Sequence, residues 1–203
     1  MTDDVHPAAI YPVAVYYTAS TLNGYLADEN NSLEWLFAVD QGADPSGAPG
    51  YPDFFAGVGV LVEGSTTYEW ILEHDGVLEH PDKWHKFYGD RPTFVFTSRE
   101  LPVPDGADVR FVSGSVAEHL SEIRAAAGEG SVWIVGGGEL AGQFLDVDAL
   151  DTVIVSIAPV TLDAGAPLLP RRVEADRLEL RSVETFGQFA HLTYDIRRSD
   201  SQT

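Results

Sequence analysis

The chain has 203 residues, with 32 Asp+Glu against 12 Lys+Arg and a formal charge of −20. A field of that sign repels nucleic acid and anionic membranes at long range, so neither is expected as a partner. The absence of cysteine excludes disulfides, thiolate metal sites and a cysteine nucleophile, and is compatible with a reducing cytoplasm.

Hydrophobic residues make up 44% of the chain, enough for a sizeable core, and the length predicts a single domain with its core over about residues 12–198. The apolar stretches, such as 58–62 and 153–157, are strand-sized and far short of the roughly 20 residues that span a bilayer. The first seven residues have neither a basic region nor an apolar core, so a secretory leader is not expected.

Residues 12–18 are β-branched and aromatic and predict a strand, which breaks into a turn at Asn23-Gly24. Residues 32–39 predict a short helix with Ser32 as N-cap and Leu33, Leu36 and Phe37 on one face. The Gly/Pro-rich run 42–52 predicts one long surface loop. A buried strand over 57–62 leads into a helix over 66–73, and strands follow at 93–97 and 109–112 with a turn between them at 102–106. Ser115 caps an amphipathic helix whose stripe is Val116, Leu120, Ile123 and Ala127. A strand at 131–135, a helix at 139–145 and a strand at 150–158 come next. Residues 178–186 and 189–197 alternate in period two around Gly187-Gln188, which predicts an antiparallel hairpin, and 199–203 a frayed tail. The sum is an α/β fold with a mostly parallel sheet, covered on both faces and closed by an antiparallel edge.

The strongest chemical signal is Gly136-Gly137-Gly138, where a buried strand runs straight into a helix. Glycines let backbone approach a phosphate, and the free N–H groups of a helix start attract it without any basic patch. A tight turn with no ligand is the competing reading. Gly136-x-Gly138-x-x-Ala141 also fits the loose dinucleotide fingerprint, but residues 153–159 hold no acid to take a ribose, which argues against a Rossmann domain. A second strand–glycine–helix unit runs through Gly64, Ser65, Thr66 and Thr67, whose hydroxyls can cap the helix or touch phosphate. A third segment brings Thr97, Ser98 and Arg99 to a strand's end, where the guanidinium can fork onto phosphate or pair with a neighbouring acid. The fourth is the turn from Thr18 through Ala19, Leu22, Asn23 and Gly24. All four lie at carboxyl ends of predicted parallel strands, the edge at which open α/β sheets bind ligands.

In this order and spacing the segments resemble the dihydrofolate-reductase-like superfamily, and within it the C-terminal reductase domain of bacterial riboflavin biosynthesis. The matching residues are Ala19 to Ala27 (ASTLNGYLA), then Gly64 with Thr67, Tyr68 and Glu69, then Thr97 to Leu101. Gly136 to Gly138 with Phe144-Leu145, and Ile157 to Val160 with Gly165 and Pro167-Leu168, complete the set, which covers about residues 13–197. The resemblance implies a three-layer α/β/α fold, a homodimer, NADPH as cofactor and an activity like 5-amino-6-(5-phosphoribosylamino)uracil reduction. It implies that Val135, Gly136, Gly137, Gly138, Glu139 and Leu140 hold the pyrophosphate, with Gly64, Ser65, Thr66 and Thr67 on the phosphate opposite. Thr97, Ser98 and Arg99 would take the 2′-phosphate, while Ala19, Leu22, Asn23 and Gly24 would cover the nicotinamide.

The chain departs from the pattern at three places. Asn23 stands for the usual aspartate, Ser65 for a frequent arginine or lysine, and Ser32 falls where folate reductases carry an acid. Glu34 is the nearest carboxylate and the candidate proton donor, and Trp35 the candidate substrate contact. The six histidines form no metal-ligand spacing, and no G-x-S-x-G elbow marks a hydrolase. A pterin or folate reductase, a xenobiotic reductase and a non-catalytic dinucleotide-binding protein remain as alternatives.

Overall fold

The computed structural model describes residues 12–42 and 48–198. The chain runs through β1 (Ala14–Thr21), β2 (Tyr25–Ala27), α1 (Glu34–Phe37), α2 (Tyr51–Ala56), β3 (Val58–Gly64) and α3 (Ser65–Asp75). Next come α4 (Pro81–Tyr88), β4 (Thr93–Phe96), β5 (Val109–Val112), α5 (Val116–Ala127), β6 (Ser131–Gly136) and α6 (Gly138–Asp146). It ends with β7 (Thr152–Ala158), β8 (Ala166–Pro167), β9 (Leu178–Phe186) and β10 (Phe189–Ile196).

Eight strands form one sheet in the order β5-β4-β3-β6-β1-β7-β10-β9. Every pairing from β5 to β7 is parallel, whereas β10 runs antiparallel to both β7 and β9. Alternation along the strands sorts side chains to two faces. Tyr16, Val62 and Ile134 point to one face and pack with Ile123 of α5 and Phe144 of α6. Val15, Leu61 and Trp133 point to the other, against Phe54 and Phe55 of α2. On that same side Val95 packs with Tyr68 of α3 and Trp84 of α4. The result is the predicted three-layer arrangement, with the parallel strands buried on both faces. Truncating a fully buried ring such as Phe144 to alanine costs about 3–5 kcal/mol.

Three differences from the sequence reading have physical causes. The run expected as loop contains α2, because Pro52 suits a first helical turn and Tyr51, Phe54 and Phe55 set edge-on contacts against Trp133 at 5.6–6.2 Å. Helix α4, also unread, starts on Pro81 and buries Trp84 to 1% exposure. Helix α1 starts at Glu34 with Leu33, not Ser32, as its N-cap. Asp28 Oδ1 accepts the Ser32 N–H at 2.8 Å and keeps Ser32 in the preceding turn. Residues 43–47 of the expected loop and the expected tail at 199–203 lie outside the described residues. Among the described residues, no helix is long and apolar enough to cross a membrane.

Candidate active site

A cleft of about 630 Å³ opens at the carboxyl edge of β1, β3 and β6. Its walls are built from both strand–glycine–helix units. Gly64, Ser65, Thr66 and Thr67 form one side, and Gly136 through Leu140 form the other. Both helices begin on glycine N-caps, Gly64 for α3 and Gly137 for α6, and neither has a side-chain cap. The N–H groups at both starts are therefore free to donate to a ligand, and each helix directs the positive end of its dipole there.

Sterics explain the glycines individually. A Cβ on Gly138 would strike the backbone oxygens of Pro167 and Leu168, so the third glycine lets the 166–168 segment cross the helix start. A Cβ on Gly136 would meet Thr67 Oγ1 at 3.0 Å, which shows how closely the two units approach each other. A Cβ on Gly137 would meet nothing within 4 Å, so no neighbouring group of the protein requires a glycine at this cleft position. The Gly136–Gly137 peptide bond is cis.

The remaining wall is largely apolar. It comprises the end of β1 at Thr18 and Ala19, then Leu33, Trp35 and Leu36, and Trp70 of α3 facing the same cleft. Four-residue α1 is held over the cleft by an aromatic stack. The Phe37 ring lies parallel to His74 at 4.9 Å and to Trp70 at 6.1 Å, and Trp70 lies on His74 at 4.3 Å. Trp70 is a cleft residue the sequence reading missed. Its signal was available, since it follows Thr67 by three positions and so shares that helical face.

Several expected site residues lie outside the cleft lining. Leu22 is two-thirds exposed and its N–H bonds Val160 O at 2.7 Å. Asn23 is a clamp on the 159–165 loop, its amide donating to Leu162 O at 2.7 Å and its Oδ1 accepting from Leu162 N at 3.2 Å and from Thr21 Oγ1 at 2.9 Å. Gly24 turns the chain with φ +82° and accepts from Leu168 N at 2.8 Å. Thr97 Oγ1 accepts the Arg99 N–H at 3.0 Å, and Ser98 is exposed beside it. The Arg99 guanidinium is forked onto Glu69 at 2.9 and 2.6 Å. Glu34 is exposed at the first turn of α1 and does not line the cleft, whereas its neighbour Trp35 does. Glu139 lines the cleft but is forked by Arg171 at 2.9 and 2.7 Å, which holds its carboxyl below the usual range. Among the described residues, no group of three or more His, Cys, Asp or Glu could hold a metal ion.

One buried acid stands immediately behind the cleft. Glu63 precedes Gly64, pairs in register with Gly136, is 1% exposed, and leaves Oε2 without a partner. Burial pushes its carboxyl up to about 8, so the protonated form predominates at neutral pH.

Comparison with known proteins follows the same outline. The family model of the RibD C-terminal domain matches residues 60–192. The uncharacterised protein YwjB of Bacillus subtilis strain 168 is 30% identical over 89% of this chain and 95% of its own length. A protein attributed to riboflavin biosynthesis in Shewanella sp. PV-4 superposes with a TM-score of 0.72 at 24% identity, over 92% of this chain and 99% of that one. Dihydrofolate reductase from Enterococcus faecalis, in a structure complexed with NADP(H), superposes with a TM-score of 0.54 at 20% identity over 94% of this chain and all of its own. The chain belongs to the RibD C-terminal domain family and has the dihydrofolate-reductase-like fold.

Proposed function

We propose that this protein is an NADPH-dependent reductase acting on a planar, electron-poor heterocycle, in the manner of the pyrimidine reductases. The observation that carries the reading is the convergence of two uncapped helix starts on one cleft, in a chain of net charge −20. A dinucleotide carries several phosphates and fits that pair of sites, whereas a cationic ligand does not. The open space at Gly137 and the close approach of Gly136 to Thr67 form a cradle that any larger side chain would obstruct.

When bound, the cofactor supplies a hydride, and the acceptor takes up one proton to complete the two-electron reduction. The chain's own residues bind, orient and exclude water. The N–H groups of Gly138, Glu139 and Leu140 would hold the pyrophosphate, and those of Ser65, Thr66 and Thr67 the phosphate across the cleft. Arg99 would fork onto the 2′-phosphate by exchanging it for Glu69, with Ser98 alongside. Ala19 would flank the nicotinamide, and Trp35 the acceptor. With Glu34 outside the lining and Glu139 held by Arg171, the proton would come from solvent water. A homodimeric, cytoplasmic enzyme completes the proposal.

The test is acceptor-dependent oxidation of NADPH, followed by loss of its near-ultraviolet absorbance across pyrimidine and pterin acceptors. Turnover with any of them supports the reductase. Tight NADPH binding with no oxidation in any case would leave a dinucleotide-binding protein instead.

A further inference from the structure

All twelve lysines and arginines of the chain fall within the described residues, and none lines the cleft. Three arginines lie near it in sequence and each already carries an acid partner, Arg172 through Nε to Glu174 at 2.6 Å. Arg171 follows the lining residue Pro170, but its fork is filled by Glu139, and its Nε donates to Asp146 at 2.9 Å. Arg99 is held by Glu69. The features of the cleft best suited to anions are the two helix starts, and on the cofactor reading the dinucleotide's phosphates would use both. Leu33, Trp35, Leu36 and Trp70 are left to face the acceptor; none of them carries a charge, and the one polar side-chain atom among them without a partner is Trp35 Nε1, a buried donor.

We infer that the acceptor is an uncharged planar heterocycle that carries no phosphate, seated on the wall formed by Trp35 and Trp70, and not a phosphoribosyl-bearing pyrimidine. A phosphate brought to this wall would lose its water with no cation to replace it, against the field of a −20 chain. A neutral ring gains stacking and apolar contact there at no such cost. The inference rests on the cofactor reading, which assigns the helix starts to NADPH.

The experiment uses riboflavin and FMN, which share one tricyclic ring and differ by a single phosphate, titrated calorimetrically into protein saturated with NADP+. Riboflavin is expected to bind about tenfold or more tightly than FMN, with the margin narrowing as salt screens the protein's charge. Trp35→Ala should weaken riboflavin binding about tenfold and Trp35→Phe should restore most of it, with circular dichroism confirming that both variants fold. FMN binding as tightly as riboflavin, or neither probe binding, overturns the inference. A separate titration with NADP+ alone reports on the cofactor reading, so its failure is distinguishable from a failure at the acceptor wall.

Discussion

The two strand–glycine–helix units of the cleft solve one problem with different chemistry. In β3–α3 the helix opens with Ser65, Thr66 and Thr67, and the residue before its N-cap glycine is the buried acid Glu63. In β6–α6 the opening is bare backbone, and the residue before the N-cap is Gly136, the register partner of Glu63. Gly136 has no side chain, so Thr67 can come within reach of it, and Gly138 lets Pro167 and Leu168 cross above. The β6–α6 unit is thus shaped by close packing of backbone, and the β3–α3 unit by hydroxyls with a mostly protonated carboxyl beneath them. The comparison teaches that an acidic chain can keep a phosphate-friendly edge in two ways. It can strip side chains from one helix start, and behind the other it can keep a carboxyl protonated by burial.

The largest expected effect lies behind the hydroxyl-bearing unit. An unfolded Glu63 loses its proton near 4.5, whereas the folded one keeps it to about 8. Between those values the folded state holds the extra proton, so this contribution to stability is complete below 4.5 and is lost as pH rises through 8. Its full size is about 5 kcal/mol at most. Urea denaturation across that window should show a flatter pH dependence for Glu63→Gln than for the natural chain; parallel curves would remove the charge asymmetry between the two units.

Next in size is the edge that extends the hydroxyl-bearing unit. Arg99→Ala should weaken NADPH about tenfold while leaving NADH nearly unchanged, the loss of one charge-assisted contact. Glu69→Gln should act in the opposite direction by releasing the guanidinium. Equal losses for both cofactors in Arg99→Ala would detach Arg99 from the 2′-phosphate. The smallest effect falls outside both units. Asn23→Asp keeps an acceptor but removes the donor to Leu162 O, and should cost about 1 kcal/mol in thermal or urea denaturation.

Much of this was legible in the sequence. Periodicity revealed the parallel strands and the closing hairpin, and glycine placement revealed both helix starts. What it could not show was partnership across the chain. Arg99 taken alone reads more readily as an ion-pair residue than as a phosphate ligand, and only the fold brings Glu69 from thirty positions away to its fork. Asn23 read as a turn residue over the nicotinamide, yet its amide serves a loop 139 positions later. Glu63 drew no reading from the sequence, because its burial to 1% exposure is a product of the fold and not of its neighbours in the chain. Helix α2 was hidden by its Gly/Pro-rich surroundings and exists through contacts with Trp133.

The most direct test of the central claim is a titration of NADPH into the natural protein and into Gly137→Val. It would be read by energy transfer from tryptophan, with Trp35 and Trp70 lining the cleft, and checked by calorimetry. Gly137 is extended and its Cβ position is open, so valine should leave the fold intact and fill only the ligand's space. The account predicts micromolar binding to the natural protein and a loss of about a hundredfold in the variant. Equal binding to both proteins, or no binding to either, would contradict it.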